Sequence, residues 1–166
     1  MRGRFENSTS ITLDGSAYMR TSVYNDQGEA IVLDWDRQAI DWLRANVHGI
    51  PTIVEANTLL YRCGARVSIY SGLPTVIGWD WHQKQQRSVL PGPMIDERIR
   101  DVRTIYTGRD LKETVRLLDQ YNVQYIYVGA LERIYYGGPG LAKFDQATEL
   151  WDLVYQNEQV KIFQVH

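Results

Sequence analysis

Only one cysteine, Cys63, occurs in the 166 residues, so neither an intrachain disulfide nor a cysteine-based zinc site can form. Histidine is nearly as scarce. His48, His82 and His166 are far apart in sequence and no His-Glu-x-x-His pattern is present, so no metal is expected. The chain also lacks the Gly-x-Gly-x-x-Gly and Gly-x-x-x-x-Gly-Lys spacings of phosphate cradles and the Gly-x-Ser-x-Gly elbow of a serine hydrolase. No cofactor is expected. No run approaches the roughly 18 apolar residues of a membrane span, and Met1 to Ser8 has no apolar centre for a signal peptide. As given, the chain reads as soluble. An excess of charge is missing too. Eighteen Lys plus Arg stand against twenty Asp plus Glu, a net charge of −2, which argues against a nucleic-acid partner.

Two imbalances remain. The cations are 14 Arg to 4 Lys, and the aromatics are 11 Tyr and 5 Trp to 3 Phe. Arginine grips carboxylates and phosphates in a fork and stacks on rings. Tyr and Trp bury a ring and keep a polar tip, which suits binding sites, interfaces and membrane borders.

A chain of this size with 44% hydrophobic residues buries roughly 70% of its extended surface, enough for one core without staples. Residues 1–27 show no helical period and read as an irregular lead-in with one short strand near Ile11 to Leu13; residues 28–166 read as a single α/β domain. Trp35, Ala39, Leu43 and Val47 have helical spacing after Asp34 as N-cap, with a stop near Gly49. Thr52 to Ala56 then reads as a buried strand. Ile69–Tyr70 and Thr75 to Ile77 read as short strands, and Gly78 to Pro93 as a long loop, a length that is usually functional. Helices follow through Ile95 to Tyr106 and Leu111 to Tyr121, with Thr107 and Asp110 resembling a capping box. Val123 to Gly129 is the clearest strand. Leu141 to Thr148 reads as a short helix, and Trp151 to Tyr155 with Val160 to Val165 as a terminal hairpin. The expected fold class is α/β, a mixed sheet flanked by helices with a C-terminal β-hairpin.

The densest chemistry lies in the sixteen residues Gly72 to Arg87, which hold Trp79, Asp80, Trp81, His82, Lys84 and Arg87 on a strand-to-loop exit. Two readings stand side by side. In one, the indoles offer faces to a sugar or lipid head while Asp80, His82 and Arg87 transfer protons or contact anions. In the other, the loop is pinned by two buried indoles. Glu55, at a strand end, is either a second carboxylate for acid–base work or, more simply, the partner of Arg62 or Arg66. Gly129 to Gly140, which includes Tyr136, could let a ligand approach the backbone closely. Six cations against three anions between His82 and Arg109 could attract a phosphate, but more often mark a solvated helix face.

Several segments together resemble a known family: Thr12-Leu13-Asp14-Gly15 with Ala17-Tyr18-Met19, Ala39 to Leu43, Gly49-Ile50-Pro51 with Val54-Glu55-Ala56, Arg66-Val67-Ser68, Gly72-Leu73-Pro74-Thr75 with Gly78-Trp79 and His82, and Tyr125 to Gly129 with Leu131-Glu132-Arg133. Over about residues 11–165 the chain is similar to the soluble portion of the large YYY membrane proteins of bacteria and archaea. The family's loop reads Gly-Trp-x-x-His-Glu with a later Trp-Arg, and here Gln83 and Gln86 stand in place of that Glu and Trp. The resemblance implies a polytopic membrane protein laid out like polyprenyl-phosphate-sugar glycosyltransferases, with this segment as an extracytoplasmic domain.

The expected function is that of an accessory or substrate-binding domain. Its partners would be the membrane-embedded part of the parent protein and a sugar or polyprenyl-phosphate-linked sugar. Trp79, Trp81, His82, Arg87, Arg66 and Tyr136 are the binding candidates. The alternative is a free-standing carbohydrate hydrolase or transferase that uses Glu55, Asp80 and His82, which requires those three side chains to converge across a cleft. A Tyr-rich interaction module is a third reading.

Overall fold

The structure is a computed structural model describing residues 5–6 (backbone only), 11–60, 62–87 and 93–166. Residues 88–92 of the expected loop and most of the first ten of the lead-in lie outside the described residues.

The first strands form a small antiparallel sheet in the order β1 (Phe5–Glu6), β2 (Val23–Asp26), β3 (Glu29–Val32). The Gln27–Gly28 turn of the β2–β3 hairpin has φ of +52° and +86°, the double left-handed geometry that matches strand twist in two-residue hairpins. The lead-in therefore holds a hairpin that crosses residue 27. The strand expected at Ile11 to Leu13 does not form. Both end residues are fully exposed, with no partner face to bury their side chains.

Helix α1 (Leu33–Asn46) begins two residues before the expected start, and Asp34 serves in its first turn rather than as the cap, accepting from Arg37 and Gln38. The main sheet has the order β4-β5-β7-β6, where β4 is Thr52–Val54, β5 Val123–Val128, β6 Trp151–Gln156 and β7 Lys161–Val165. β4 and β5 run parallel; β5–β7 and β7–β6 are antiparallel, so the sheet is mixed and ends in a hairpin. Ile126, Tyr127 and Val128 are buried in succession, which requires cover on both faces of the central strand. Asn157 Oδ1 fixes the last turn by accepting from the N–H groups of Gln159 and Val160 at 3.0 and 2.8 Å.

Three local expectations change. Ile69 and Tyr70 lie in helix α2 (Arg66–Ser71), not in a strand. The Thr75 to Ile77 strand shrinks to a single parallel bridge from Thr75 to Ile53. The loop after Gly78 contains helix α3 (Asp80–Gln86). Helices α4 (Pro93–Thr107) and α5 (Leu111–Gln120) match their apolar period, but Asp110 is itself the cap of α5, accepting from Lys112 N–H at 2.9 Å. Helices α6 (Ala130–Tyr136) and α7 (Lys143–Gln146) complete the chain order. Lys143, buried in α7, donates to the carbonyls of Ile105 and Gly108, placing a cation on the last turn of α4.

Candidate functional site

Parallel β4 and β5 end side by side, and the residues just beyond them, Glu55 to Asn57 and Gly129 to Glu132, form the inner floor of the site. That floor is built from buried charge. Arg66 at the start of α2 places Nη2 2.8 Å from Asp36 Oδ1 and 3.0 Å from Glu132 Oε2, with its guanidinium 5.3 Å from the Tyr127 ring centroid. Tyr127 Oη donates to the same Asp36 oxygen at 2.6 Å. Glu132 also accepts from Ala56 N–H and Gly129 N–H, both at 2.8 Å, so one carboxylate ties the end of β4 to the start of α6. Burial works against the Glu132 carboxylate, yet Arg66 and these donors hold its pKa below the usual value. Gly129 is needed here because a Cβ would lie 2.9 Å from both Arg66 Nη2 and Tyr127 Cε1.

Glu55 is fully buried and accepts from the N–H groups of Val67 and Ser68 at 2.8 and 2.9 Å. Neither Arg62 nor Arg66 forms the expected ion pair with it: Arg62 is paired with Asp26, and Arg66 with Asp36 and Glu132. Glu55 thus replaces the side-chain cap that α2 lacks after Ala65. Burial pushes its pKa up to about 7, against the opposing pull of Arg66 and the α2 donors. The folded protein consequently binds this proton more tightly than the unfolded chain does, and Glu55 favours folding most at low pH. Stability should decline as pH rises from about 4.5 to 7 by an amount that Glu55→Gln removes, measured as urea midpoints across that range.

Near this floor, where Asn57 Nδ2 donates to the Gly78 carbonyl at 3.2 Å, lies a narrow crevice of about 10 Å³ lined by Leu59, Leu60, Trp79, Asp80, Trp81 and His82. The four apolar side chains remain 54, 49, 39 and 44% exposed in the order Leu59, Leu60, Trp79, Trp81. Trp79 and His82 meet edge to face at 5.3 Å, and Trp79 Nε1 donates to the Arg62 carbonyl at 3.3 Å. Arg62 in turn is held by buried Asp26, which also accepts from Tyr24 and Tyr135. The loop carrying Leu59 and Leu60 is thereby latched to the β2–β3 hairpin.

The structure thus brings Trp79, Asp80, Trp81 and His82 together, with Arg87 exposed at the C-cap of α3. It keeps Glu55 apart: that carboxylate faces the α2 N-terminus and does not line the crevice. Arg66 and Tyr136, also candidates for binding, are interior instead. Tyr136 stacks on Tyr106 at 4.9 Å and exchanges hydrogen bonds with the Asn57 backbone. Sequence reasoning missed Leu59 and Leu60, whose only signal was an apolar pair in a segment without period. Cys63 has its thiol pKa pushed up to about 11 by burial and is a poor nucleophile. Among the described residues no group of His, Cys, Asp and Glu is placed to hold a metal ion.

The chain has the fold of the C-terminal globular domain of an oligosaccharyltransferase. In the crystal structure of that domain from Archaeoglobus fulgidus, the match has a TM-score of 0.54 at 15% identity and covers 82% of this chain and 99% of the other. No protein-family model and no curated protein matches this chain. At that identity the likeness concerns architecture: a mixed sheet with flanking helices and a C-terminal hairpin.

Proposed function

We propose that this chain is a water-exposed, extracytoplasmic domain of a polytopic membrane protein of glycosyltransferase type, similar to the YYY proteins. There it acts as an accessory or substrate-binding part for a sugar or polyprenyl-phosphate-linked sugar. The observation that carries the reading is the fold shared with nearly the whole of a globular domain named as part of an oligosaccharyltransferase. Among the described residues no helix is long and apolar enough to cross a membrane; in this reading the membrane-embedded partner is another part of the parent protein. Trp79 and Trp81 supply exposed ring faces for stacking on a sugar, His82 and Asp80 supply polar contacts beside them, and Arg87 supplies a cation for a phosphate.

The chemistry of transfer lies outside this chain in this reading. The isolated chain should therefore bind a soluble polyprenyl-phosphate-sugar analogue without turning it over, and Trp81→Ala should weaken binding by about tenfold in a calorimetric titration. Glycosyl transfer or hydrolysis by the isolated chain that disappears in His82→Ala would overturn the proposal in favour of a free-standing enzyme.

A further inference from the structure

We infer that the outer edge of β3 takes up an extended segment of a partner polypeptide as a further strand, one that sets an apolar and a basic side chain two positions apart against the groove beside it. The inference goes beyond the reading of the crevice and does not depend on it. It starts from the hydrogen bonds of the β2–β3 hairpin. Asp26 and Glu29 close the two-residue turn, and at the far end Leu33 N–H donates to the Ser22 carbonyl at 3.2 Å. Hydrogen-bonded and non-bonded pairs alternate between those ends, so Ala30 opposite Asn25 and Val32 opposite Val23 are the non-bonded ones. The N–H and C=O of Ala30 and the N–H of Val32 therefore point away from β2, and no protein group among the described residues bonds them.

The other sheet edges are covered, interrupted or short. Beyond β4, Ile53 N–H donates to the Pro74 carbonyl at 2.8 Å and Val76 N–H donates to the Ile53 carbonyl at 3.3 Å, so a loop already lies along that edge. β6 has a register shift between Leu153 and Tyr155, and β1 spans only Phe5–Glu6. Such devices discourage strand addition; β3 has none of them and is regularly paired through all four residues. Beside it runs a groove of about 640 Å³, the size of a ligand site. The groove touches Glu29, Ala30 and Ile31 in succession but no residue of β2, so it follows the free edge instead of crossing the sheet. Its far wall is α6 and the β6–β7 turn, tied together where Arg133 Nη1 donates to the Gln159 carbonyl at 2.5 Å. One extended backbone matches an edge that offers two donors and an acceptor, whereas a whole second domain meets that wall. The side chains of the occupant follow from the lining. Ala130 and Ile134 continue the apolar surface of buried Ile31. Glu29 and Glu158 are exposed and in no ion pair among the described residues, and against Arg133 they leave the groove one net negative charge. Glu29 and Ile31 point to the same side of β3, so an antiparallel partner sets its apolar residue opposite Ile31 and, two residues later, its basic one opposite Glu29.

The test is an amide NMR titration of the isotope-labelled 166-residue chain with the peptide acetyl-Thr-Val-Thr-Lys-Thr-amide, whose central Thr pairs with Ala30. The Ala30 and Val32 amides should shift with a dissociation constant of about 1 mM or below, and their hydrogen exchange should slow. N-methylation of the central Thr removes the N–H that meets the Ala30 carbonyl and should weaken binding at least about tenfold. Replacing the peptide Lys by Glu should weaken it about fivefold, and Glu29→Gln with Glu158→Gln should abolish that difference. The first two changes are made in the peptide and the last on exposed side chains, so none of them asks the chain to refold. No shift at millimolar peptide, or binding indifferent to the N-methyl group, overturns the inference. So does protection of the Ala30 and Val32 amides that grows with protein concentration alone, since a second copy then occupies the edge.

Discussion

Arg66→Met is expected to cost about 3–5 kcal/mol of folding free energy, the range for breaking a buried ion pair by removing one partner. The guanidinium is 3% exposed and bridges Asp36 to Glu132. Methionine would fill much of its volume, so the loss is electrostatic rather than a cavity effect. Asp36 would keep only the Tyr127 hydroxyl among its described contacts, and Glu132 only the two N–H groups of Ala56 and Gly129. The pH dependence separates this cause from poor packing. In the native protein the Glu132 pKa lies below its ordinary value, so its contribution is present above about pH 4.5 and is lost as pH falls further. Without Arg66, burial dominates and drives the same carboxyl upward, so the variant loses stability as pH rises past that point. The gap between native and variant urea midpoints should widen from acid to neutral pH. A gap that is constant with pH, or smaller than about 1 kcal/mol, would count against the network as a determinant of the fold.

Whether an element is held by its own apolar pattern or by a distant partner explains which parts of the structure could be read from the sequence. Helices α1, α4 and α5 announce themselves because each sets an apolar stripe against the sheet or a neighbouring helix, and β5 because its Val-Gln-Tyr-Ile-Tyr-Val run is covered on both faces. Helix α2 hides for a definite reason. Val67, Ile69 and Tyr70 are residues with strand preference, and the helix is imposed by Glu55, whose carboxylate reaches its first N–H groups from twelve and thirteen residues away. Helix α3 buries nothing fully and so has no period to read. The β2–β3 hairpin turns on Gln27–Gly28 instead of the usual Asn-Gly or Asp-Gly pair. For α6 a signal was present and overlooked, since Glu132 stands three residues after Gly129 and reaches back to its N–H.

The site divides along a similar line. The density of Trp79, Asp80, Trp81 and His82 was visible because the four are neighbours in the chain. That Arg66, Glu55 and Tyr136 are interior was not visible, because their partners lie 66, 12 and 79 residues away and residue type alone does not reveal burial. Polar side chains near a strand end therefore divide into a floor that holds the fold and an outer crevice that faces solvent, a division set by long-range packing.

Trp151→Ala is expected to cost about 3–5 kcal/mol, with the effect concentrated at one edge of the main sheet. Trp151 opens β6, the edge strand in the order β4-β5-β7-β6, and it is that strand's single buried residue. Its indole packs 5.3 Å from the Phe144 ring, and Nε1 donates to the Phe144 carbonyl at 2.9 Å. One side chain thus joins the terminal hairpin to α7. Alanine would leave a void beside Phe144 and Phe163, which pack together at 5.8 Å, and would leave the Phe144 carbonyl unpaired in the interior. Trp151→Phe separates the two costs, since it keeps most of the ring and loses only the N–H; its deficit should be about 1–2 kcal/mol. The rest of β6 is held by its ladder with β7, by Val154 and Tyr155 half-buried against the core with Tyr155 5.3 Å from Trp42, by Asn157 Nδ2 donating to Tyr155 Oη at 3.0 Å and by the exposed Asp152–His166 contact at 3.0 Å, none of which fills the space of a buried indole. Amide exchange in Trp151→Ala should therefore rise first across β6 and its β7 partners, while β4 and β5 keep their relative protection. Uniform acceleration across all four strands would mean instead that the hairpin and the parallel pair open as one cooperative unit.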